Sequence, residues 1–80
     1  MKFDSYKAMI YFVTATIYFY KNKVRFTNNP NEFFNLNLQV LSEVKKEGLK
    51  YFNYEISYNQ MMTGITAYIQ NEVNLNANKG

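Results

Sequence analysis

Eighty residues with nine Lys and Arg against six Asp and Glu carry a net charge of +3, with no cysteine and no histidine. Those totals exclude a disulfide framework, a thiolate nucleophile and the ordinary Cys/His zinc site, and they remove the side chain most used for proton transfer at neutral pH. One domain is the most this length supports, and its core must be small.

Eight Tyr and seven Phe offset that small core, because each ring buries a large area. Tyrosine hydroxyls seek water or a partner, so part of this aromatic surface is expected to stay half-exposed. Self-association is the other common way to complete a small core, which keeps a homo-oligomer among the expectations. Eight Lys to a single Arg, with frequent Asn, Tyr, Ile and Phe, is the usage of AT-rich codons. That usage points to a low-GC bacterium or its phage.

In chain order, the first signal is the uncharged run Ala8–Tyr20, which gives way to Lys21, Asn22, Lys23 and Arg25. It is too short for a membrane helix, which needs about 20 apolar residues, and no small-residue cleavage site follows it as in a signal peptide. Helical spacing exists: Tyr6, Met9, Ile10, Val13, Ile17, Tyr20 and Val24 share a face. The opposite face carries Tyr11, Phe12, Tyr18 and Phe19, so such a helix is apolar all round and calls for burial on every side. From Met9 to Tyr20 nearly every residue is β-branched or aromatic, the composition of strands. With Lys21-Asn22 as a two-residue turn and Lys23–Thr27 as the returning strand, Phe19 faces Val24, Ile17 faces Phe26 and Tyr18 faces Arg25. The expectation is a β-hairpin.

Asn29-Pro30-Asn31-Glu32 then reads as an N-cap, a proline at the first helical position and a glutamate placed to close a capping box. Phe33, Leu36, Val40 and Val44 recur at helical spacing, Lys45-Lys46 suit a last turn, and Gly48 supplies a left-handed stop. A helix is predicted over 30–47. The stretch 51–58 alternates Phe52, Tyr54, Ile56 and Tyr58 with polar residues, as a half-buried strand does. Asn59 is placed to cap a second helix with the stripe Met61, Met62, Ile65, Tyr68, Ile69 and Val73. Gly64 weakens that helix by about 1 kcal/mol relative to Ala, and the competing reading is a turn at Thr63-Gly64 with a strand from Ile65 to Ile69.

These elements predict an α+β fold of order β-β-α-β-α: a short antiparallel sheet with one well-defined central helix. The domain covers residues 1–73, with a frayed tail over 74–80, and the alternative is a three-helix bundle. No catalytic set assembles: Glu32 is accounted for by capping, Glu43 and Glu47 share an exposed helix edge, and no carboxylates pair at a spacing general acid/base work requires. Two surfaces are candidates for partner binding. One is the hairpin, where Tyr18, Tyr20, Lys21, Lys23 and Arg25 combine rings with cations, the side chains that dominate binding energy and that single-stranded nucleic acids also use. The other is the second apolar ridge of the central helix, Phe34, Leu38 and Leu41, with Asn37 at its margin and Met61 and Met62 as an extension.

The function read from the sequence is therefore non-enzymatic. It is that of a small protein acting by occupancy on a larger protein partner, without cofactor, metal or membrane. Its profile fits the inhibitors that phages and mobile elements direct at host defence or nucleic-acid-processing complexes, placing it in the cytoplasm of a bacterial host cell. The alternative is a small single-stranded nucleic-acid-binding protein using the basic, tyrosine-bearing hairpin.

Overall fold

The computed structural model describes residues 3–78, and every regular element among them is helical. In chain order these are α1 (Tyr6–Phe19), a 3₁₀ turn (Lys21–Lys23), α2 (Pro30–Leu36), α3 (Leu38–Phe52) and α4 (Tyr58–Asn78). The expected α+β fold is thus corrected: no antiparallel sheet forms among the described residues. The arrangement lies nearer the helical-bundle alternative, with the anticipated central helix broken in two. No helix among the described residues is long and apolar enough to cross a membrane.

The expected hairpin is α1 followed by the basic turn. Ser5 starts the helix, its hydroxyl accepting from the Ala8 N–H at 3.1 Å. The β-branched residues that suggested a strand are accommodated in two ways. Val13 and Ile17 follow Met9 at intervals of four and are buried. Thr14 and Thr16 donate their hydroxyls to the carbonyls of Ile10 and Phe12, bonding back along the helix. The opposite face is largely open: Tyr11 is 76% and Phe19 80% exposed, and only Phe12 is half-buried there.

Asn29 caps α2 as its sequence implies, accepting from the Glu32 N–H at 3.0 Å. Its own N–H goes to the Thr27 hydroxyl at 3.3 Å, a place the capping box would have given to the Glu32 side chain. The single helix expected over 30–47 breaks at Asn37 and runs on to Phe52. Gly48 is no stop; it lies buried inside α3 against Ile56. The left-handed residue that ends α3 is Asn53, with φ of 50°.

The expected strand 51–58 is the end of α3, an extended connection and the first residue of α4. Of its alternating apolar residues only Ile56 is buried in the core. Phe52 and Tyr54 instead join Phe3 and Phe12 in a ring cluster with centroid separations of 4.3–5.5 Å. The start of α4 is a reciprocal box two residues before Asn59: the Gln60 N–H donates to the Ser57 hydroxyl at 3.2 Å, and the Ser57 N–H to the Gln60 side-chain oxygen at 2.9 Å. From there α4 runs without interruption through Gly64 to Asn78. It thereby enters the expected tail, of which residues 79 and 80 lie outside the described residues.

Packing follows from these stripes. α4 packs against both α1 and α2, most extensively α1, and α3 closes against α1 and α2. The core joins Met9, Val13 and Ile17 of α1 to Met61, Ile65 and Ile69 of α4, with Phe33, Leu41, Val44 and Ile56 filling the remaining side.

Tyr68 is buried at the edge of this core, its ring 5.7 Å from that of Phe33. Burial, then the Glu72 carboxylate, then the Tyr18 phenol, push its pKa above the ordinary tyrosine value of 10.0. The folded state therefore favours the neutral phenol. Its contribution is fully present below the unfolded pKa and is lost as pH rises through the higher folded pKa. Alkaline ultraviolet titration should show a late-ionising phenol that is missing from Tyr68→Phe, and that substitution should flatten the fall in stability that begins above about pH 10. Equal slopes in the two proteins would contradict this assignment.

Candidate binding surface

With α1 helical, the five hairpin residues do not share one face. Tyr18 and Tyr20 stand about 200° apart on a helix, and the structure separates them. Tyr18 lies on the α4 side, in a groove with Tyr11, Tyr68 and Asn71. Lys21 covers it, the ammonium 4.6 Å from the ring centroid and 3.3 Å from the hydroxyl. Tyr20 turns to the other side, toward α3, with Lys23 5.8 Å from its ring centroid. The hairpin geometry expected for the patch is corrected; its members fall into a Tyr18–Lys21 pair and a Tyr20, Lys23 and Arg25 group.

The second group forms one wall of a groove of about 520 Å³. The facing wall is Leu36 at the end of α2 and Gln39, Val40 and Glu43 on the first turns of α3. Asn37, only 4% exposed, forms the floor. Its side-chain oxygen accepts from the Arg25 N–H at 2.7 Å, while its amide nitrogen donates to the Arg25 carbonyl at 3.0 Å and the Phe33 carbonyl at 2.9 Å. One side chain thus grips both backbone groups of Arg25, as a neighbouring strand would. The bond back to Phe33 accompanies the break between α2 and α3. Arg25 is presented to the groove because its backbone is held there.

Beyond Tyr20 the surface continues as a cleft of about 440 Å³ between α1 and α3. Its rings are Phe12, Phe19, Tyr20 and Tyr51, with Glu47 among them. Groove and cleft share Tyr20 and form one trough. Its far wall, Leu36 of α2 and Val40, Glu43, Glu47 and Tyr51 of α3, recurs every three or four residues, a signal present in the sequence although the ridge singled out there was its neighbour. That neighbouring ridge, Phe34, Leu38 and Leu41, does not come together as a surface. Leu41 is in the core, Phe34 packs on Tyr58 at 5.1 Å, and only Leu38 is open, at 55% exposed. Met61 is fully buried and Met62 partly so.

Charge is sparse along this surface. Among the described residues one ion pair forms, Lys46 to Glu43 at 3.5 Å along α3. Lys23 and Arg25 are exposed and have no carboxylate partner there. No three of His, Cys, Asp and Glu come together among the described residues. Compared with known protein families, curated proteins and solved structures, the chain matches none.

Proposed function

We propose that this chain is a small binding protein that acts by occupying the surface of a larger protein. Tyr18, Tyr20, Lys21, Lys23 and Arg25 carry the contact. The observation that supports the reading is the tip where α1 ends. Between Asp4 and Glu32 the chain holds no acidic residue, and residues 18–26 hold Tyr18, Phe19, Tyr20 and Phe26 among three cations on the two sides of the tip. Tyr18, Phe19 and Phe26 are each exposed by half or more. Exposed rings beside cations suit an interface, where a few such side chains supply most of the energy. The small size and AT-rich usage fit an inhibitor that a phage or mobile element directs at a host defence or nucleic-acid-processing complex in a bacterial cytoplasm.

Single-stranded nucleic acid is the second reading, favoured by the two lysines seated on tyrosine rings. Glu43 and Glu47 weigh against it, because a polyanion laid along the trough passes both carboxylates.

Capture from host lysate, with and without nuclease, separates the two. A protein partner retained after nuclease supports the first reading. Recovery of nucleic acid alone, lost steeply as salt rises, replaces it with the second. With the captured protein in hand, Tyr20→Ala and Arg25→Ala should each weaken binding by about 1 kcal/mol or more while leaving the helical spectrum intact. Wild-type affinity in the folded double variant would remove these residues from the interface.

A further inference from the structure

The two ends of the trough differ in character. At the groove end stand Lys23 and Arg25; at the cleft end stand Glu47 and the rings of Phe12, Phe19 and Tyr51. Tyr20 lies between them and belongs to both. Such a surface is complementary to itself. A two-fold rotation about an axis at Tyr20 exchanges the ends, so the cations of one copy meet the carboxylate and ring faces of the other, twice over.

We infer that in the absence of its partner the free chain closes this trough with a second copy of itself. The inference rests on the reading above only in taking the same surface: the pair is a resting form that the partner must displace. Other occupants fit less well. A uniformly acidic segment meets Glu47, and a wholly apolar one strands Lys23 and Arg25 away from water. In the pair, a guanidinium or ammonium finds both a carboxylate and ring faces, each attractive to it. Phe19, 80% exposed, is the projecting side chain that enters the opposing trough. The nearby charges are compatible: Glu43 is already engaged by Lys46, and Lys50, 5.2 Å from the Tyr51 ring centroid, does not line the cleft.

The test is sedimentation of the full chain from low micromolar to several hundred micromolar protein. The wild type should show a reversible monomer–dimer equilibrium that weakens as salt rises. The double reversal Lys23→Glu, Arg25→Glu should raise the dissociation constant about tenfold or more, and Glu47→Lys should do the same. An equimolar mixture of the two reversed proteins should form a heterodimer at concentrations where each alone is monomeric. Phe19→Ser, at a side chain too exposed to matter for folding, should also disperse the pair. Circular dichroism and melting of each variant establish that it is folded before it is scored. A wild type that stays monomeric throughout overturns the proposal. So does a dimer indifferent to both charge reversals, or a mixture that remains monomeric. A monomeric wild type leaves partner capture unaffected, and a failed capture leaves the sedimentation result standing.

Discussion

Asn37→Leu should lower the stability of the folded chain by about 3 kcal/mol, the largest loss expected from any substitution of a polar side chain here. Leucine keeps the branching of asparagine at Cγ but is bulkier, so the loss of hydrogen bonds comes with crowding at a buried site. It leaves the N–H and C=O of Arg25 without the partners that held them at 2.7 and 3.0 Å in a part-buried site. Each orphaned group costs about 1–3 kcal/mol, and the apolar gain of a buried leucine returns only part of that. An 80-residue domain has about 4–12 kcal/mol in total, so the melting temperature should fall by roughly 12–24 °C. Asn37→Asp sharpens the test. It keeps the acceptor for the Arg25 N–H but turns a carboxylate oxygen toward the carbonyls of Arg25 and Phe33. It should therefore be about as destabilising at neutral pH and recover in acid, where a protonated oxygen donates again. Urea titrations at the two pH values, with hydrogen exchange of the Arg25 amide, decide the matter. If the leucine variant melts with the wild type, the connection from Val24 to Asn29 is not held by this side chain.

The bond pattern at Asn37 also shows why part of the fold was legible in the sequence and part was not. Local chemistry was readable. Asn29 caps α2 where the Asn-Pro pair implies, and the buried stripes Met9, Val13, Ile17 and Met61, Ile65, Ile69 stand at helical intervals in both the sequence and the core. The hairpin expectation failed on one physical assumption, that a helix apolar on all sides must be buried on all sides. Tyr11, Tyr18 and Phe19 face water, so α1 needs only one buried stripe. β-branched composition carried the rest of the error, because threonine hydroxyls that bond back to carbonyls sit comfortably in a helix. Gly48 misled for a related reason. Its lack of a side chain serves the approach of Ile56, whereas the left-handed residue is Asn53, which sequence alone does not distinguish from the chain's other asparagines.

For the binding surface the division is similar. Lys21, Lys23 and Arg25 are near Tyr18 and Tyr20 in any fold, so the cluster was readable as a composition. Its geometry was not, since two residues that share a strand face diverge on a helix. The facing wall comes from α3, some fifteen to twenty residues further along the chain. Which stripe of α3 meets the connection after α1 depends on Asn37 reaching back to Arg25, a contact across twelve residues with no periodic signature.

Gly64→Ala should cost about 2 kcal/mol, although alanine is worth about 1 kcal/mol more than glycine in a helix. Read locally, Gly64 is a weak point in α4; in the structure it is where α1 and α4 touch. A Cβ at this position would stand 2.3 Å from one methyl of Val13 and 2.8 Å from its Cβ. Rotating the valine moves the methyl but not the Cβ, which the backbone fixes, so the helices themselves must separate. Separation thins the contact between Met9, Val13 and Ile17 and the α4 stripe, on which most of this small core rests. Gly48 is a useful contrast. Its nearest neighbour is the mobile end of Ile56 at 3.0 Å, so Gly48→Ala should be much the milder change. Val13→Ala alone removes two buried methyl groups and leaves a cavity, costing about 2 kcal/mol. Combined, the two changes should be less harmful than their sum by about 1 kcal/mol, because the methyl clash is gone while the Cβ of residue 13, 2.8 Å away, still holds the helices apart. Denaturant unfolding of the four proteins in this cycle measures that coupling. Strict additivity would mean that the valine methyls are not what meets a side chain at position 64.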